Sequence, residues 1–147
     1  MVWSFSLNFI FMENTNNRST YLSPRVTIPI VTHLTLAYKL WHSYLPNIPR
    51  GSRYTLGTKI DALFIETAEP IFIATYLSKE QKPPYLRKAA AQLDLVKFFL
   101  QILWEIQSLD NKKYVALSEK LDEIGRMLGG WIRQLLNTTH PAERRRT

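Results

Sequence analysis

The sequence predicts an all-α protein, an antiparallel up-and-down bundle of four helices. Three observations indicate this fold. Apolar residues recur at intervals of three and four, most prolines fall between those runs, and the last run keeps a heptad pattern throughout. The chain has 147 residues, 46% hydrophobic and 21% charged, which is enough for one domain with its own core. Helices joined by short connections must alternate in direction.

The first two helices are predicted over residues 29–45 and 54–78. Thr27 is a suitable N-cap for the first, and the prolines and glycine of residues 46–52 form the connection. Pro70 lies inside the second helix, where we expect a kink rather than a break into two helices. The inward-facing residues of the two helices are expected to be Ile30, Leu34, Ala37, Trp41 and Leu45, and then Leu56, Ile60, Leu63, Thr67, Ile71 and Ala74.

The third helix, predicted over residues 85–109, is apolar on more than one side. Its inner stripe consists of Leu86, Ala89, Leu93, Val96, Leu100 and Leu103, and a second stripe beside it of Leu95, Phe99, Ile102, Ile106 and Leu109. Three partner helices cannot easily cover both stripes, so we expect a subunit interface here.

The fourth helix is predicted over residues 111–137, with Asp110 as its N-cap. Its seam is spaced 3, 4, 3, 4, 3, 4, the left-handed packing pattern of helical bundles, and consists of Tyr114, Leu117, Leu121, Ile124, Leu128, Trp131 and Leu135. The bundle domain therefore spans residues 27–137. It is preceded by an extension, residues 1–26, that is expected to be disordered or to result from a misplaced start. It is followed by a basic tail, residues 138–147, that is also expected to be disordered.

The N-terminal extension does not share the helical periodicity. Residues 3–11 alternate as a strand does, so this segment is either a strand that pairs with a partner or the product of a misplaced start, with Met12 the true first residue. The apolar run is too short to span a membrane and has no signal-peptide pattern, so a cytoplasmic protein is expected.

The sequence shows no catalytic apparatus. It has no cysteine, no phosphate-binding glycine loop and no nucleophile elbow. Glu66 and Glu69 do not begin the Glu-x-x-His motif of di-metal bundles, and His33, His42 and His140 are not at ligand spacing from carboxylates. We therefore expect no enzyme activity, metal, cofactor or small-molecule substrate, and we interpret His33 and His42 as surface or packing residues.

The formal net charge of +7 favours anionic partners, nucleic acid first among them. The basic residues could bind phosphates, or they could form only a solvated face, and the pattern leaves both open. The candidates for nucleic-acid or polymerase contact, chosen by charge alone, are Arg50, Arg53, Lys59, Arg87, Lys88, Arg126 and Arg133.

Three glycines, Gly125, Gly129 and Gly130, interrupt an otherwise strong fourth helix. Each costs about 1 kcal/mol relative to alanine, so a reason for them is expected. Small residues allow another backbone to approach closely, which could occur inside the same bundle or against a neighbouring subunit; a direct ligand contact is a lesser alternative.

Two stretches, residues 45–57 and 123–132, resemble Avd, the accessory variability determinant of diversity-generating retroelements. The resemblance covers about residues 34–136, and its most specific parts are Arg53, Tyr54, Thr55, Leu56 and Gly57, and then Gly129, Gly130 and Trp131. A sibling family, encoded within intervening sequences of ribosomal RNA genes, typically carries Asn-Ile-Ala-Glu-Gly in the second helix. The corresponding residues 66–70 here read Glu-Thr-Ala-Glu-Pro, which favours Avd.

The resemblance implies a homopentameric barrel that binds a reverse transcriptase and its template RNA, with DNA as a further nucleic acid, and supports mutagenic copying and homing. It further implies that the motif residues are structural or interfacial. The alternatives are a structural homo-oligomer without a nucleic-acid role and a membrane-surface protein. The residues expected in the oligomer interface or family motif are Tyr54, Leu56, Gly57, Phe99, Ile102, Ile106, Gly125, Gly129, Gly130 and Trp131.

Overall fold

The computed structural model describes residues 28–139, which form four long helices. These are α1 (Ile28–Tyr44), α2 (Thr58–Tyr76), α3 (Lys82–Glu105) and α4 (Asn111–Thr139). Each helix packs against the next, and α4 packs against α1, so the four close into a bundle; α2 with α3 is the closest pair and α1 with α2 the loosest. The predicted all-α four-helix bundle is confirmed. Thr27, the extension and residues 140–147 lie outside the described residues.

The core is built from one buried stripe per helix. The predicted inward residues are buried, except that Leu45, Leu56, Tyr114 and Trp131 are half-buried. Thr67 is the single buried polar residue of the described core, and its hydroxyl donates to the Leu63 carbonyl at 2.7 Å. The indole N–H of Trp41 donates to Asp61 Oδ1 at 3.3 Å, which joins α1 to α2 inside the bundle.

Helix α2 continues through Pro70, as predicted, and the proline itself is buried. Its beginning differs from the prediction, because the chain enters α2 through three short turns rather than directly. These are a 3-10 turn at Leu45–Asn47, an α-helical turn at Arg50–Ser52 and a π-helical turn at Arg53–Gly57. The sequence pattern could not show this, since all three turns share the periodicity of a helix to within one residue.

Helix α3 differs from the prediction at both ends. It begins three residues earlier, because prolines are tolerated in the first turn, and here Pro83 and Pro84 lie there. It ends at Glu105, so the predicted end at residue 109 is wrong. Gln107 takes a positive φ of 61°, and the N–H of Ser108 reaches back to the Leu103 carbonyl at 3.0 Å. This is a Schellman ending in which a non-glycine residue holds the left-handed position.

Helix α4 begins and packs as its sequence predicted. Asp110 Oδ1 accepts a hydrogen bond from the Lys113 backbone N–H at 2.9 Å, which is the expected N-cap. The three glycines do not interrupt the helix, which extends to Thr139. Leu117, Leu121, Ile124 and Leu128 are fully buried, so the heptad seam forms the inner face.

Candidate interaction surfaces

The connection between α1 and α2 is held by the side chain of Arg53. Its guanidinium donates to the Ile48 carbonyl at 2.9 and 3.1 Å and to the Pro46 carbonyl at 2.9 Å. The hydroxyls of Ser52 and Ser108 are 2.7 Å apart, which joins this connection to the one between α3 and α4. Arg53 is therefore engaged with the chain's own backbone, and of the seven basic candidates it is the one whose guanidinium is already occupied.

The motif residues that follow Arg53 divide into buried and exposed members. Gly57 is buried, and a Cβ there would lie 3.5 Å from the Leu45 side chain, so the π-helical turn packs directly on the preceding connection. Leu56 is half-buried against the core. Tyr54 differs from both, since it is 66% exposed and lies beneath the Arg50 guanidinium, whose carbon is 5.8 Å from the ring centroid.

The structure does not bring the seven basic candidates into one patch. Arg50, Arg53 and Lys59 lie at the bundle end that holds the α1–α2 connection, whereas Arg87 and Lys88 lie at the opposite end, in the first turns of α3. The 19 residues of α2, about 28 Å at 1.5 Å per residue, span the distance between the two ends. The remaining two, Arg126 and Arg133, lie on α4. All of the seven except Arg53 are exposed.

A groove of about 490 Å³ separates α3 from α4, and Arg126 and Arg133 line it. Across it Lys97 Nζ contacts Asp122 Oδ1 at 2.9 Å. Gly125 and Gly129 also line it. A Cβ at Gly125 would lie 3.2 Å from Lys97 Nζ, whereas a Cβ at Gly129 or Gly130 would meet nothing within 4 Å. Packing within the bundle therefore does not require glycine at the last two positions.

Exposed apolar side chains lie on the outer faces of α2 and α3, and we call six of them together the outer apolar surface, of which Ile65 and Phe72 line a groove against α1. Its members are between 42% and 54% exposed, and they are Ile65, Phe72 and Ile73 of α2 and Leu95, Phe98 and Ile106 of α3 or its C-cap. Of the predicted second stripe, Phe99 and Ile102 are half-buried. Leu109 was wrongly assigned to that stripe, because the chain turns at Gln107 and places Leu109 in the core.

Sequence reasoning missed the α2 half of this surface, because only the inward-facing residues of α2 were assigned a role. A signal was present: Ile65 and Phe72 are seven residues apart, a helical repeat of their own. It also missed Lys82, whose Nζ lies 5.5 Å from the Trp131 ring centroid. Burial, and after it the Lys79 charge, lowers the pKa of Lys82. No sequence signal could have found a contact between residues this far apart.

The histidines and carboxylates have structural or surface positions. His33 Nδ1 lies 3.2 Å from Glu123 Oε2, linking α1 to α4, and His42 is exposed, its ring 6.1 Å from that of Tyr38. Both agree with the predicted surface or packing role; His140 lies outside the described residues. Within residues 28–139 no three side chains are grouped as metal ligands, and no helix there is long and apolar enough to cross a membrane.

The fold and the surfaces together define a helical-bundle protein that carries exposed cations and exposed apolar side chains on its outer faces. The chain belongs to the bAvd-like family, whose model matches residues 31–135, from the first turn of α1 to the last turns of α4. This confirms the resemblance to Avd, the accessory, non-catalytic protein of diversity-generating retroelements. No curated protein and no solved structure matches the chain.

Proposed function

We propose that this protein is the non-enzymatic accessory subunit of a diversity-generating retroelement, where it binds the reverse transcriptase and template RNA and supports mutagenic copying and homing. The observation that carries the proposal is the family match over residues 31–135, because it supplies the retroelement context. The proposed site of action is the cytoplasm, where template RNA and polymerase would meet.

The exposed basic residues support RNA as a partner. Arg50, Lys59, Arg87, Lys88, Arg126 and Arg133 are all exposed, and they are distributed over both ends of the bundle and one groove. Such a distribution suits a long polyanion, which contacts several separated cations along its backbone, better than a compact anion. DNA would satisfy the same contacts.

The outer apolar surface supports self-association. Six apolar side chains that are about half exposed on the closest-packed helix pair would be unusual on a monomer, since such surfaces generally mark interaction sites. We propose that a second copy covers it, and that the assembly is a homopentamer, as the Avd resemblance implies. Five copies would carry five times the chain's +7, a field strong enough to concentrate RNA.

The experiment that tests the RNA role is light scattering coupled to size exclusion, with and without a structured RNA, at low and high salt. A complex that forms at low salt and dissociates at high salt is expected. The double variant Arg126→Gln/Arg133→Gln should weaken RNA binding and reduce its salt dependence more than Lys39→Gln/Lys79→Gln, which removes the same charge at other exposed positions.

The absence of a complex at every salt concentration would contradict the RNA role, whereas equal weakening by both double variants would contradict only the assignment of RNA contact to Arg126 and Arg133. The first would favour the alternative function, a structural homo-oligomer without nucleic acid, which the outer apolar surface alone also supports. Co-purification with the retroelement's reverse transcriptase tests the polymerase contact separately, because it does not require RNA after nuclease treatment.

A further inference from the structure

The bundle end at the α1–α2 connection combines cations with aromatic rings. Residues 45–59 and 106–114, which form that connection, the α3–α4 connection and the turns after them, carry five cationic side chains and one carboxylate. Lys113 Nζ lies 5.6 Å from the Tyr44 ring, and the Trp104 and Tyr114 rings are stacked at 4.7 Å. Both of these contacts involve half-buried or buried rings, so they belong to the fold.

Tyr54 is the exception at this end, because its ring is available. It is 66% exposed, and a cation, Arg50, lies on it. Its backbone is held firmly, since Arg53 beside it is bonded to two carbonyls, and Thr55 Oγ1 donates to the Gly51 carbonyl at 3.0 Å. An exposed ring on a backbone that is held in place can bind a planar partner with less loss of conformational entropy than a ring on a loose segment.

We propose that Tyr54 and Arg50 form a stacking site for an unpaired nucleobase, so that this end of the bundle recognises single-stranded RNA. The inference rests on the proposed RNA-binding function and specifies the kind of RNA bound. The surrounding positive charge attracts the phosphates, and the ring accepts the base. Duplex RNA keeps its bases inside the stack, so it would use the cations of this site without the ring.

The test is fluorescence anisotropy of the full chain with an unstructured RNA of about 12 nucleotides and a duplex of equal length. Tyr54→Leu, which removes the ring, should weaken single-strand binding about 5-fold or more and leave duplex binding unchanged. Tyr54→Phe keeps the ring and should bind both as wild type. Arg50→Gln should weaken both, because it removes a phosphate contact as well as the cation on the ring.

The matched control is Tyr76→Leu, at the opposite end of the bundle. Tyr76 is also 66% exposed, but its ring neighbour is Phe72 rather than a cation. The Tyr76→Leu variant should bind both RNAs as wild type does. Thermal unfolding of Tyr54→Leu should match wild type, because an exposed ring contributes little to the core.

Equal binding of single-stranded RNA by wild type and Tyr54→Leu would overturn the stacking site alone, as would equal losses for single strand and duplex. If wild type binds neither RNA, the proposed RNA role is wrong and the stacking site with it. The two failures are therefore distinguishable.

Discussion

Helices α3 and α4 are neighbours of similar construction, yet their outer faces are opposite in character. Each buries an unbroken inner stripe. On the outside α3 exposes Leu95 and Phe98, three residues apart, whereas α4 exposes Arg126 and Arg133, seven residues apart. The inner stripes account for the bundle within one chain. The excess apolar area on α3 has no partner within residues 28–139, which is why we attribute it to assembly rather than to folding.

The two helices also differ in backbone and in how they begin. Helix α4 contains three interior glycines and starts with an aspartate cap, whereas α3 contains no glycine and starts with prolines and no side-chain cap. Glycine weakens α4 relative to alanine, and the cap partly offsets that cost.

The largest effect is expected from placing a charge on the outer face of α3. Phe98→Lys should convert the proposed oligomer to a 17.2 kDa monomer, because burying an unpaired ammonium in an apolar interface is strongly unfavourable. The matched change on α4 is Val115→Lys, at a side chain 44% exposed against 54% for Phe98. It should leave the mass unchanged. Light scattering measures both.

A monomer for both variants, or for neither, would remove the distinction between the two outer faces. Far-UV circular dichroism should show an intact helical fold for Phe98→Lys, since its side chain lies outside the core. If the helical signal is lost instead, the outer apolar surface stabilises the single chain, and its assignment to assembly is wrong.

The helices and their inner faces could be predicted from sequence because burial of one stripe is a local, periodic property. Every inner-stripe residue of α3, Leu86 through Leu103, is buried as its spacing indicated. The helix ends were harder to predict. Gln107 takes a left-handed conformation that composition does not signal, so Leu109 was assigned to the outer stripe of α3 instead of to the core. The surfaces were the hardest to predict from sequence, because the positions of Arg50, Arg87 and Arg126 relative to one another depend on how the helices are arranged in space.

The glycines of α4 give the second prediction. Gly129→Ala should raise the free energy of unfolding by about 1 kcal/mol, since alanine favours the helix and the new Cβ meets nothing within 4 Å. Gly125→Ala should gain less, because its Cβ would lie 3.2 Å from Lys97 Nζ and displace that side chain. Urea denaturation followed by circular dichroism measures both changes.

The same two variants also test whether a partner binds in the groove between α3 and α4. If Gly129→Ala stabilises the chain but lowers its oligomeric mass or its RNA affinity, the glycine serves a partner that approaches the groove closely. A loss of stability for Gly129→Ala would mean that its space is needed within the bundle, contrary to the open surroundings of that residue.

The start of α4 gives the smallest predicted effect. The Lys113 backbone N–H, and after it the Lys113 ammonium, lower the pKa of Asp110 below its ordinary value of 3.8. Because the folded-state pKa is the lower one, the stabilisation is present above pH 3.8 and is lost as the pH falls through the folded-state value.

Asp110→Asn keeps a capping oxygen without the charge, so its stability should fall less between neutral pH and pH values below 3.8. Helix α3 has no side-chain cap, so its start is not expected to contribute a corresponding pH dependence of stability. Parallel pH dependences for wild type and Asp110→Asn in urea denaturation would show that the cap acts only as a hydrogen-bond acceptor, and that its charge is screened by solvent.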